Sequence, residues 1–148
     1  MTYDLDRFLE AQDGPGGFAQ ALAELEAGAK RSHWIWYVFP QLAGLGSSPM
    51  AEIYGLHGAG EAAAYLAHRL LRERLLSAMQ AVRAQSAPLR VLMGSQIDVL
   101  KLVSSMTLFR EIARRAGDDE VASVADEILT RAQEQGYAEC AFTQRALG

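Results

Sequence analysis

The stretch Lys30–Pro49, KRSHWIWYVFPQLAGLGSSP, carries both tryptophans of the chain, one of its three histidines, two of its four prolines and a Gly/Ser-rich loop. Its first half, Ser32 to Phe39, reads as a short helix. Ser32 can accept hydrogen bonds from free N–H groups, and Pro40 lacks an N–H and disfavours helical geometry at Phe39. That leaves about two turns. Trp34, Ile35, Trp36, Val38 and Phe39 give the helix almost no polar face, so other elements must cover it on nearly all sides. The segment is therefore expected at the centre of the core and in the wall of any site.

Working outward towards the N-terminus, Phe18, Leu22 and Leu25 mark the apolar stripe of a helix that stops near Gly28, which can adopt a left-handed backbone. Before it, Leu5, Phe8 and Leu9 predict a short helix running to about Gln12, broken by Asp13–Gly17, DGPGG. On the other side, Ser48 followed by Pro49 combines a hydroxyl cap with proline at the first helical position and predicts a helix over Pro49–Tyr54. GLHGAG interrupts, and a helix resumes from Glu61 to Leu66, with His68 near a bend. Leu70, Leu71, Leu75, Met79 and Val82 outline a longer helix to about Gln85, and Pro88 ends it or begins a short turn.

Ser95 is a candidate cap for a helix over Ser95–Arg115, with Leu102, Met106 and Phe109 facing inward and Gly117 terminating it. The segment after Gly117 has an acidic start, the series Val121, Val124 and Ile128, and Gly136 at its end, which predicts a further packed helix. No repeat and no convincing alternating run interrupts this pattern. The expectation is an all-α fold of seven or eight helices with central buried ones. A motif-bearing core spans about 5–109 and a C-terminal helix and tail span 118–148.

The 148 residues suit one compact domain that buries roughly two-thirds of its unfolded surface. Half of them are hydrophobic and 22% charged, far from the composition of disorder. A net charge of −4 argues against extended binding along a nucleic-acid backbone. One cysteine, Cys140, excludes an internal disulfide and a cysteine-rich zinc site. His33, His57 and His68 lack close metal-ligand spacing, and neither metal nor cofactor is expected. The acidic N-terminus has no signal-peptide pattern and no apolar run reaches the ~18 residues of a membrane helix, so the expectation is a soluble, cytoplasmic protein.

Asp98, Lys101 and Ser105 recur at i, i+3 and i+7 and share one helical face. In a ligand site, Lys101 would supply positive charge, Asp98 would orient it or act as base, and Ser104, Ser105 or Thr107 would donate hydrogen bonds. The ordinary structural account is an exposed ion pair worth only ~0.3 kcal/mol, with hydroxyls bonded back to the helix. Gly44, Gly46, Ser47 and Ser48 resemble an anion cradle, since glycines allow close approach and a helix start directs N–H groups outward. A capped tight turn explains the same residues. His33 is a candidate acid or base near neutral pH. Trp34 and Trp36 point in different directions, so at most one lines a pocket. Gln41 could read an amide or nucleobase edge. His57, His68 and Cys140 read as loop, helix-end and tail residues without partners.

The residues HWIWYVFPQLAGLGSSP, Tyr54 and DVLKLVSSMTLF (Asp98–Phe109) resemble the domain of unknown function 1810 family, a bacterial family whose members sometimes carry the label calpastatin. The resemblance covers roughly Leu5 to Phe109. It implies a compact multihelical domain with no established activity. It also implies that His33, Trp34, Trp36, Gln41, Gly44, Gly46 and Ser48, with Asp98, Lys101, Ser104, Ser105 and Thr107, occupy motif positions. The sequence departs from the family after His68, where Arg69 stands in place of a usual proline, and at Met93, where phenylalanine is usual. A calpain inhibitor of the calpastatin kind would be a flexible chain of low hydrophobicity, unlike this one. A more distant likeness, in size and aromatic-polar motifs, is to proteins that process ADP-ribose and related nucleotides.

Together these residues predict one pocket between the Trp segment and the 95–115 helix for a small phosphorylated or nucleotide-like ligand. If the protein is an enzyme, hydrolysis of an N-glycosidic or phosphate-containing molecule fits, with His33 or Asp98 as base and Lys101 stabilising negative charge. The alternative is a non-catalytic protein-interaction module whose two motifs are core.

Overall fold

The computed structural model describes residues 2–148, and among them are ten α-helices, seven of seven residues or more, with no strand. They are α1 (Asp6–Asp13), α2 (Phe18–Glu26), α3 (Ile35–Val38), α4 (Pro49–Tyr54) and α5 (Gly58–Ala67), then α6 (Arg69–Ala84), α7 (Leu89–Met93), α8 (Gln96–Ala116), α9 (Asp119–Glu134) and α10 (Ala141–Leu147). The fold is all-α, as the apolar periodicity predicts.

Several boundaries sit where local chemistry places them. Ser48 Oγ accepts the Ala51 N–H at 3.2 Å with Pro49 behind it. Ser95 Oγ accepts the Asp98 N–H at 3.1 Å, and Gly117 closes α8 at φ +73°. His68 caps α6 through Nδ1, which accepts the Leu71 N–H at 3.3 Å. Arg69 is thus the first helical residue, a position that also suits proline. Met93 is fully buried.

The Trp segment departs from expectation. Helix α3 spans only Ile35–Val38, one turn, and Ser32 does not cap it. The reason lies in α2. The buried Glu24 carboxylate accepts the Arg31 N–H (2.7 Å), the Ser32 N–H and hydroxyl (2.9 and 2.6 Å), Trp34 Nε1–H (3.0 Å) and the Gln20 amide (2.7 Å). The Ser32 hydroxyl and the Arg31 and Ser32 N–H groups are thus directed at α2, and residues 31–34 are held against it as a strap. Helix α5 also begins earlier than Glu61, at Gly58, and the Glu61 carboxylate accepts the His57 N–H at 2.8 Å. Residues beyond Gln135 include a tenth helix that the tail does not announce.

Helix α8 is the centre. It packs on α9, α5, α7, α10 and α3, and its residues from Leu102 to Phe109 are all buried. Trp34, Phe39, Phe8, Tyr65 and Phe109 are the bulkiest of the fully buried side chains. The Phe8 ring meets Tyr65 edge-on at 5.0 Å and Tyr65 meets Phe109 at 5.5 Å, so one aromatic chain links α1, α5 and α8. Arg7 fastens the edge of this core. Its guanidinium donates to Glu61 (2.9 and 3.1 Å) and to the Ile53 and Gly55 carbonyls (2.8 and 3.0 Å), fixing the exit from α4. There the Ala43 N–H donates to Leu56 O and the Leu56 N–H to Gln41 O (2.8 and 2.9 Å), an isolated bridge that holds the 40–48 loop in place.

Candidate functional site

A cavity of about 600 Å³ opens between α3, the 40–48 loop, α4, α8 and residues 138–140. Trp36, Tyr54, Leu42, Leu45 and Ala51 form one side, Ile97, Leu100, Lys101, Val103 and Ser104 of α8 the other, and Ala138, Glu139 and Cys140 one end. Gln41, Gly46, Ser47 and Ser48 complete the wall.

Its charge is arranged in a defined way. Lys101 lies 4.6 Å over the Trp36 ring, with Nζ 3.7 Å from the Asp98 carboxylate. That carboxylate already holds Lys30, whose Nζ is 2.8 Å away, buried, and also donates to Ser32 O at 2.6 Å. Lys30 reaches this place because its N–H donates to Leu92 O at 2.7 Å and because residue 94 is glycine. The Gly94 φ is +83°, and a Cβ there would stand 2.9 Å from Lys30 O. Two ammonium groups thus share one carboxylate, leaving Lys101 a surplus positive charge. The cavity's own acid, Glu139, is committed to Arg110, whose Nη1 donates to Oε2 at 2.9 Å. Trp36 Nε1 is buried and donates to no protein group.

At the far end, Cys140 Sγ accepts the Thr143 hydroxyl at 3.2 Å, and Thr143 Oγ1 lies 3.4 Å from Ser104 Oγ. Burial alone would push the thiol up. The Thr143 and Ser104 hydroxyls, with the Thr143 and Phe142 N–H groups, outweigh it and hold the thiol below its ordinary value. The Cys140 N–H donates to Thr107 Oγ1 at 3.2 Å, which itself donates to Val103 O at 2.8 Å, so Thr107 anchors this segment to α8.

Of the residues selected in the sequence, Trp36, Gln41, Gly46, Ser47, Ser48, Lys101 and Ser104 line the cavity together. The others lie elsewhere. Trp34 is fully buried against α2 with its indole N–H spent on Glu24, which settles which tryptophan is core. His33 is exposed and outside the wall. Gly44 sits in the same loop with φ +92° but is not in the wall. Asp98 is behind Lys101 rather than in the cavity, held there by Lys30. Ser105 is fully buried with its hydroxyl unpartnered, and Thr107 serves the anchor just described. The idea of a solvated i,i+3 pair also fails, since Asp98 carries a second, buried lysine.

Sequence reasoning missed Lys30, Tyr54, Ile97, Leu100, Glu139 and Cys140. Ile97 and Leu100 had a usable signal: they share the face of Lys101 and Ser104 at helical spacing, away from Leu102 and Phe109. Lys30, Glu139 and Cys140 had none, because their partners lie on other elements. Among the described residues no cluster of three or more His, Cys, Asp or Glu could hold a metal ion, and no helix is long and apolar enough to cross a membrane.

The chain belongs to the family described as "Protein of unknown function (DUF1810)", whose model matches residues 2–138. It is similar to the conserved hypothetical protein Rv1873 from Mycobacterium tuberculosis, whose crystal structure shares 38% sequence identity and a TM-score of 0.79 over 98% of this chain and 96% of that one. No curated protein matches the chain.

Proposed function

We propose that the cavity binds a small anionic ligand, phosphorylated or nucleotide-like, ADP-ribose and its relatives included, with Lys101 meeting the negative charge. The surplus of the Lys30–Asp98–Lys101 group carries this reading. A lone carboxylate–lysine pair would be neutral, whereas here Asp98 is already satisfied by the buried Lys30, and Lys101 stands at the wall with charge to spare. Its ammonium is held over Trp36, so little side-chain freedom remains to be lost on binding. The Ser47 hydroxyl and the Gln41 amide are neutral hydrogen-bonding groups in the same wall. The reading is one of binding, since His33 and Asp98, the two proposed bases, are not in the wall.

A thermal-shift panel of inorganic phosphate, AMP, ADP-ribose and sugar phosphates tests it. A ligand at a hundred times its Kd stabilises by about 2.7 kcal/mol, which for a chain of this size raises Tm by several degrees. Lys101→Met should remove the shift while lowering the Tm of the free protein little, because Lys30 still compensates Asp98. A panel without any shift, or a shift that persists unchanged in Lys101→Met, would sink the reading.

A further inference from the structure

The geometry points to a ligand with an alkyl or acyl chain attached to its anionic group, an anionic amphiphile rather than a nucleotide. This narrows the cavity reading above and rests on it. Exposure falls steadily along the α8 wall. Ile97 is 66% and Leu100 53% exposed, the Lys101 side chain 27%, and Val103 and Ser104 are 2% and 1%. Along α8 the apolar side chains are thus outermost, the cation lies further in and the Ser104 hydroxyl deepest, while Ser47 and Ser48 of the 40–48 loop are exposed. Only five large hydrophobic residues are exposed among those described, and these two are neighbours on one helical face beside the one cation of the wall. Exposed isoleucine and leucine at i and i+3 bury apolar surface only when something apolar covers them.

A nucleobase would gain most from an open aromatic face to stack on. Lys101 already takes one face of Trp36, 4.6 Å from its centroid, and the Tyr54 ring meets Phe8 and Tyr37 at 5.9 and 5.3 Å, which reduces the aromatic surface left for stacking. An alkyl chain needs no such face. With its anion at Lys101 it would leave past Leu100 and Ile97, a rise of roughly 6 Å along α8, and bury its methylenes on both.

Titration calorimetry with ethyl, butyl, hexyl and octyl phosphate, each below its micelle concentration, tests this against AMP and inorganic phosphate. Kd is expected to fall about fourfold per added methylene until the chain has passed Ile97, and then to level off. Ile97→Ser with Leu100→Ser should abolish the gain from butyl to octyl, read as the ratio of the butyl and octyl phosphate Kd values within the variant. Equal affinity for ethyl and octyl phosphate, AMP binding more tightly than octyl phosphate, or a chain-length gain that survives the double substitution would overturn the amphiphile and leave the anion cavity standing. Octyl phosphate that binds Lys101→Met as well as the parent protein, or an absence of binding by every anion, would overturn both.

Discussion

Cys140 is where side-chain environment shows most directly. Burial opposes ionisation of its thiol, and the hydroxyls of Thr143 and Ser104 with two N–H groups reverse that preference. Iodoacetamide should alkylate it with a pH midpoint below the ordinary thiol value of 9.0. Thr143→Val keeps the shape of the buried residue but removes a donor to Sγ, and should move that midpoint upward. An unchanged midpoint in Thr143→Val would show that the hydroxyl does not stabilise the thiolate. Because Cys140 is in the wall, a ligand that fills the cavity should also slow its alkylation. Asp98 gives a second test. Asp98→Asn strands Lys30, whose side chain is only 6% exposed, and should cost about 3–5 kcal/mol in denaturant unfolding, whereas Lys101→Met should cost under ~1 kcal/mol. Similar costs for the two would mean that Lys30 finds other solvation.

The strap of residues 31–34 depends on a single carboxylate of α2. Burial would raise the Glu24 pKa, but hydrogen bonds from Gln20, the Ser32 hydroxyl, and the Arg31 and Ser32 N–H groups drive it far below the usual glutamate range. A group whose pKa is depressed in the folded state contributes stability above its unfolded value, and loses that contribution as pH falls towards the folded value. Stability should therefore decline from about pH 4.5 downward. Glu24→Gln keeps one acceptor but turns an N–H towards other donors. It should lower stability at neutral pH by about 2 kcal/mol or more and flatten the decline in acid. A Glu24→Gln protein with the parent's acid profile would assign the decline to other carboxylates, such as Glu61 and Asp118, whose pKa values are also lowered. The same strap holds Trp34 in the core, while His33 is exposed and Trp36 lines the cavity.

In the whole molecule, the C-terminal segment completes the cavity. Glu139 and Cys140 close one end, and the buried Thr143 locks them to α8. Deleting residues 139–148 should leave the helical core folded, with a lower Tm, and weaken binding of anions at least as much as Lys101→Met does. Circular dichroism and calorimetry on one preparation check both parts. Full affinity in the truncated protein would confine the site to α3, the 40–48 loop, α4 and α8.

Much of this architecture could be read from local pattern. Ser48–Pro49, Ser95 and Gly117 mark helix ends because caps and left-handed glycines act within a turn of where they stand. The stripes of α2, α6, α8 and α9 follow from helical period, and the density of aromatics marks Lys30–Pro49 as central. Trp36, Lys101 and Ser104 were among the candidates that the sequence offered, but spacing could not say which tryptophan faces the cavity, and it put Asp98 and Ser105 on the face of Lys101 although neither is in the wall. Packing settled what no spacing contains: that Glu24 holds Ser32 against α2, that Lys30 shares Asp98 with Lys101, and that Cys140 returns to Ser104. These are pairings between groups on different elements. Burial makes them strong, because a polar group removed from water must find a partner inside, and which partners are within reach depends on how the helices come together.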